Sequence, residues 1–87
     1  LSCVVEKINW FSFLNGTKHL RVQVKIRSTH PKAWACLDRK SENEAIVTFD
    51  ESQEAITPGQ GCVFYDGARV IGGGWIAMEV KKDHVSI

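Results

Sequence analysis

No apolar run in this 87-residue chain is longer than a handful of residues. A transmembrane helix needs about 20, so that class is excluded. A charged, apolar and small-residue leader pattern is also missing, so no secretory signal is read. The three cysteines, Cys3, Cys36 and Cys62, are an odd number and contain no C-x-x-C spacing. That argues against a disulfide framework and against a zinc knuckle, both of which use closely spaced pairs. Cys36 and Cys62 each sit in an apolar strand-like run, which reads as a reduced core thiol of a cytosolic protein. His19, His30 and His84 lack partners at i+2 or i+4 and read as solvated surface residues rather than ligands or acid–base groups. The carboxylates Glu42, Glu44, Asp50 and Glu51 fall at strand ends and loops, as solvating residues do. There is no internal repeat, no low-complexity segment and no helical periodicity. Nothing in the composition suggests catalysis by these residues alone.

What is present is β chemistry at the size of one small domain. Hydrophobic residues make up 44% and charged residues 24% of the chain, an ordinary globular balance. Six strands are expected, near 2–9, 19–27, 33–37, 44–50, 62–65 and 69–71, the last resuming at 75–78 after three glycines. The second is the clearest. Leu20, Val22, Val24 and Ile26 alternate with Arg21, Gln23, Lys25 and Arg27, so one face is apolar and the other basic. In the fourth, Ala45, Val47 and Phe49 share a face. Short strands divided by turn chemistry predict an all-β fold, a small closed six-stranded antiparallel barrel, because closure removes edges that would otherwise pair with other chains. One barrel domain over 1–80 and a patternless tail over 81–87 are expected. The chain starts at Leu1 without a methionine, which reads as a piece of a longer polypeptide.

The segment 56–76, ITPGQGCVFYDGARVIGGGWI, is the most specific part. Thr57-Pro58-Gly59-Gln60 has type II turn chemistry, with Pro58 presetting φ at the first corner and Gly59 supplying positive φ at the second. Asp66-Gly67, between two β-rich runs, is a tight-hairpin signal. Gly72-Gly73-Gly74 interrupts a strand, which marks a bulge, a barrel corner or a close approach by another backbone. These glycines run on into Trp75-Ile76, not into a helix N-terminus, so they are not a phosphate-binding loop. Trp34 and Trp75 alternate with small or apolar neighbours, a pattern of core or barrel-rim packing.

Charge is unevenly placed. Residues 18–40 carry seven cations against the single Asp38, a net of +6, while 41–57 carry five carboxylates and no base, a net of −5. Same-face residues on a strand are about 6.8 Å apart. The row Arg21, Gln23, Lys25, Arg27, extended by Lys18, His30 and Lys32, has the form of a cation line that tracks a phosphate backbone. Trp34, Phe11 or Phe13 is placed to stack on an unpaired base. A solvated basic face is the alternative.

The ordered set TPGQ, VFYDG and GGG before an apolar pair resembles the C-terminal β-barrel domain of tRNA-specific 2-thiouridylases. Asn9-Trp10, Val24-Lys25-Ile26-Arg27, Ala35-Cys36 and Val47-Thr48-Phe49-Asp50-Glu51 follow the same order upstream, so the resemblance runs roughly over 8–76. It implies a cytoplasmic parent enzyme that uses ATP to activate the wobble uridine of certain tRNAs and replaces its 2-oxygen with sulfur. The partners implied are tRNA, the catalytic domains of the same chain and a sulfur-donor protein. The family's S-G-G-x-D-S loop and catalytic cysteines belong to its other domains and none maps here, so no cofactor and no catalytic residue is expected in this domain. Lys18, Arg21, Lys25, Arg27, His30 and Lys32 are the expected tRNA contacts. The chain departs from the family at Ser28-Thr29, where an aromatic and a second arginine often stand, so a stacking contact at Ser28 is not carried over. The competing reading is a structural or protein-docking barrel like the second domain of translation factors, with the basic face set against an acidic protein surface. Trp10, ahead of a loop, is a candidate for packing against a neighbouring domain of the parent.

Overall fold

Alternation of apolar and polar side chains produces six strands in the computed structural model: β1 (Ser2–Trp10), β2 (His19–Lys25), β3 (Ala33–Arg39), β4 (Ala45–Phe49), β5 (Gly61–Asp66) and β6 (Arg69–Val80). The structure describes residues 2–11, 18–26, 31–51, 53 and 56–80. The expected contacts Arg27 and His30, the loop aromatic Phe13, His84 and the tail 81–87 lie outside the described residues. The six strands close into an antiparallel barrel in the order β1-β4-β3-β2-β5-β6. Among the described residues there is no helix, and hence none long and apolar enough to cross a membrane.

The inward face of each strand forms one core. Val22 and Val24 of β2 meet Ala35 and Leu37 of β3, Ala45, Val47 and Phe49 of β4, Cys62 and Phe64 of β5, and Ile71 and Ile76 of β6. Leu20 and Ile26, the ends of the β2 stripe, pack against this core while staying partly exposed. The expected strands are recovered with shifted ends. β2 stops at Lys25, with Ile26 in a bend, while β3 runs two residues further than its apolar stretch because Asp38 and Arg39 stay in register with Ile46 and Ala45.

Turn chemistry sets the closing hairpin. Gly59 has φ +93°, and Gln60 N donates to Thr57 O at 3.3 Å, as a type II turn requires. Gly59 N and Ile76 N then donate to Ile76 O and Gln60 O, each at 2.8 Å, tying the turn to β6. A Cβ at Gly59 would meet nothing within 4 Å, so Gly59→Ala isolates the backbone cost. It is expected to destabilise the barrel by about 1 kcal/mol, measured by urea denaturation, and no loss would mean that the turn relaxes to negative φ. At the hairpin, the two corner residues are Gly67-Ala68, with Asp66 paired to Arg69. Positive φ falls on Gly67 (+66°) alone, so glycine takes the first corner of the turn, one position earlier than Asp66-Gly67 as the central pair would place it.

The three glycines of β6 lie where other backbone comes closest. A Cβ on Gly72 would come within 2.8 Å of the Trp10 ring, on Gly73 within 2.8 Å of Cys62 O, and on Gly74 within 2.6 Å of Glu6 O. The ladder is irregular at the same places, between Glu6 and Asn9 on β1 and between Phe64 and Tyr65 on β5. The β1 irregularity holds Lys7 at φ +54°, a conformation uncommon for a side chain with Cβ.

Candidate functional site

The outer face of β2 is the structural counterpart of the basic row, and pairing sorts its members into different environments. Arg21 forks onto Asp50: Nη1 donates to Oδ1 at 2.7 Å and Nη2 to Oδ2. Its Nη1 also reaches Cys36 Sγ at 3.4 Å, and its guanidinium lies 5.3 Å from the Trp34 ring centroid. The fork holds the Asp50 carboxyl below its ordinary range and raises the guanidinium further above its own. Arg21 is therefore an occupied cation, and Trp34 carries it on one face.

Lys18 lies at the far end of β2. It borders a small depression with Arg39, Lys40 and Ser41, while His19 and Lys40 both contact Asp38, at 3.3 Å and 3.1 Å. Lys40, ahead of His19, keeps the Asp38 carboxyl below its usual range. At the other end the register places Gln23 opposite Tyr65 and Lys25 opposite Val63. Lys32 comes to the same place from the segment before β3. Its Nζ sits 4.2 Å from the Tyr65 ring centroid and donates to Gly67 O at 3.1 Å. Lys32 is thus held over Tyr65, and Lys25 lines the same groove as that ring, while Lys18 does not.

An open groove of about 560 Å³ begins at Lys25 and crosses β5 and β6 to the irregular part of β1. Tyr65, Phe11 and Trp75 form its aromatic walls, Lys7 and Lys25 its cationic ends, and Gly72, Gly73 and Gly74 its floor. Phe11 is 65% and Trp75 52% exposed. Cross-strand pairing explains the placement. On the β5 side Trp75 pairs with Gly61, which leaves the indole no side chain there, and a Cβ at that position would sit 3.4 Å from the ring; on the β1 side it pairs with Glu6.

The chain matches the family model of the aminomethyltransferase β-barrel domain over residues 2–76. It belongs to that family. Among curated relatives, it is 45% identical over 71 residues to a tRNA-specific 2-thiouridylase MnmA of Koribacter versatilis, covering 82% of this chain and 19% of that protein. It is 51% identical over 77 residues to the protein of the same name from Paramagnetospirillum magneticum, covering 87% and 20%. With that of Rickettsia akari it shares 37% over 79 residues, covering 90% and 22%. The chain spans about one fifth of the length of these relatives.

As a member of this barrel family the chain differs from its sequence reading at several side chains. Cys36 is exposed on the outer face beside Arg21, not a core thiol, because its alternation partner on β3 is Trp34 rather than Ala35. Cys3 and Cys62 are buried, and burial, more than the neighbouring Cys3, pushes the Cys62 thiol well up. Of the core or barrel-rim positions expected for Trp34 and Trp75, the core is excluded, since both are half exposed on the outer surface. Trp10 turns inward: its ring stacks on Phe64 at 5.6 Å, Arg39 lies 5.3 Å from it, and its Nε1 donates to Glu42 O at 2.7 Å. Among the described residues no cluster of three or more His, Cys, Asp or Glu side chains has metal-holding geometry. Lys7, Tyr65 and Trp75 were missed as site residues, since only the β1 irregularity and the cross-strand glycines bring them into one groove.

Proposed function

We propose that this barrel is the C-terminal, tRNA-contacting domain of a tRNA 2-thiouridylase. The parent enzyme would use ATP to activate the wobble uridine and exchange its 2-oxygen for sulfur, in the cytoplasm, with sulfur delivered by a donor protein. The barrel covering 1–80 contributes grip, not chemistry. The observation that carries this reading is a groove lined by Lys25 and Tyr65, with Lys32 over that ring, in a chain whose relatives are named for action on tRNA. Lysine ammonium groups at a strand end favour phosphate oxygens and carry little base information. Contact of this kind positions a tRNA without choosing among tRNAs. Arg27 and His30 follow Lys25 in sequence, and Lys18 stands just before the other end of β2.

Arg21 gives the reading a two-sided test. Removing a phosphate contact makes the slope of log affinity against log salt shallower by about one unit. Lys25→Ala is expected to do this for every tRNA tried, with the chain titrated at several salt concentrations. Asp50→Asn takes away the carboxylate that occupies Arg21, so tRNA affinity is expected to rise at low salt. Its slope is expected to steepen by about one. Unaltered slopes in both variants would favour a barrel that docks on protein and leaves the RNA alone.

A further inference from the structure

We infer that the groove between Lys25 and Lys7 takes a single unpaired nucleotide, its base on the aromatic walls and its phosphate at a lysine. The inference deepens the RNA-contact reading and rests on it for the polymer. The geometry of the groove is a separate observation.

Three features point to a nucleotide rather than to any anion. The first is chemistry: an aromatic wall of Tyr65, Phe11 and Trp75 lies between two lysines, and stacking on such rings is how unpaired bases are held. The second is access. Phe11 and Trp75 keep more than half of their surface in solvent, and the floor of Gly72–Gly74 places no side chain in the space between them. A volume of about 560 Å³ falls within the range of small-ligand sites. The third is what the other aromatics are doing. Trp34 carries Arg21, Trp10 is stacked on Phe64, and Tyr65 carries Lys32 on one side, so Trp75 and Phe11 are the large exposed rings without a cation over them among the contacts described. The depression bordered by Lys18, Arg39, Lys40 and Ser41 has the cations but no aromatic wall and only about 180 Å³.

Trp75 also separates the groove from a second hollow of about 350 Å³ bounded by Glu6, Lys7, Pro58, Gly59 and Ala77. Lys7 borders both. Its left-handed backbone at the β1 irregularity places it at this junction, where strain is a feature of ligand-holding positions. A base on the groove side of the indole leaves its phosphate at the Lys7 end or the Lys25 end. A double helix cannot make this contact, because its bases are already stacked and paired.

The test measures binding of the chain to a six-nucleotide single-stranded RNA, a blunt RNA duplex of the same length and hexaglutamate. Trp75→Ala and Trp75→Leu are compared with the unaltered chain, the leucine variant keeping apolar cover over Gly61. The single strand is expected to bind more tightly than the duplex. Both variants are expected to weaken single-strand binding roughly tenfold or more and to leave duplex binding unchanged. Thermal melts confirm that each variant is folded, and Tyr65→Leu replaces either one that is not. Single-strand affinity unchanged in the folded variants overturns the nucleotide site. So does hexaglutamate that binds as tightly as the RNA, since the groove would then be reading charge on a peptide. If Lys25→Ala weakens both RNAs while the Trp75 variants weaken neither, phosphate contact stands and the nucleotide site falls. If the unaltered chain binds neither RNA, both fall.

Discussion

Phe64→Ala is expected to lower the melting temperature by about 15–30 °C, the largest effect of any single truncation considered. Phe64 is the largest of the fully buried side chains and is 0% exposed. It pairs with Val24 of β2 on one side and Gly72 of β6 on the other, so it stands where β2, β5 and β6 close the barrel. Its ring also supports Trp10, the end of β1, across the interior at 5.6 Å. Truncation therefore removes buried area, leaves a cavity and takes away the surface on which Trp10 rests. Such changes cost about 3–5 kcal/mol. A domain of this size has total stability of roughly 4–13 kcal/mol, so the loss is a large fraction of it. Scanning calorimetry measures it, and Phe64→Leu, which keeps most of the volume, should lose much less. A melting temperature within about 5 °C of the parent for Phe64→Ala would mean that the seam collapses around the missing ring.

Gly74→Ala is the second large effect, with the opposite cause. Here one methyl group is too many. Its position would be 2.6 Å from Glu6 O, 2.9 Å from Ile8 Cγ1 and 3.0 Å from Val5 Cγ1. The first is backbone and the other two belong to core side chains, so β1 has to move away from β6 along the irregular stretch of their ladder. Overpacking of this kind costs about 1–3 kcal/mol and sometimes more. The expected drop in melting temperature is about 10–20 °C. Because Lys7 and Trp75 flank this contact, the same variant should also widen the groove, and the amide signals of both residues in a ¹⁵N correlation spectrum should shift together. A fully stable Gly74→Ala would show that β1 and β6 are less tightly apposed than described.

Much of the barrel was legible in the sequence because its governing signals are local. Strict alternation over Leu20–Arg21–Val22–Gln23–Val24–Lys25 fixes which face of β2 is core, and Pro58-Gly59 fixes a turn through the dihedrals those residues prefer. The three glycines were readable as a bulge, a barrel corner or a close backbone approach, because few other causes tolerate them in a strand. The candidate site was less legible. An exposed arginine and a phosphate-binding arginine look alike until the partner is placed, and the fork between Arg21 and Asp50 joins residues 29 positions apart. The orientation of Cys36, Trp34 and Trp75 depends on register, where one residue of slip reverses every side chain. Nothing local distinguishes Ala33-Trp34-Ala35-Cys36-Leu37 with tryptophan inside from the same run with it outside, since both faces are apolar or small. The groove was not legible at all, because it is assembled from β1, β2, β5 and β6 around an irregularity that no motif announces.

The closed ring of strands has a consequence for how the barrel is carried within a longer protein. Among the described residues each strand has a neighbour on both sides, so no strand offers a wholly free edge to which another domain can add a strand. Attachment then runs largely through side chains on its outer wall and through the covalent chain. A body held in that way can turn as one piece while its internal hydrogen bonds stay as they are. It behaves as a handle rather than a graft: tilting it would move its whole outer wall, the proposed nucleotide groove included, without any part of it refolding.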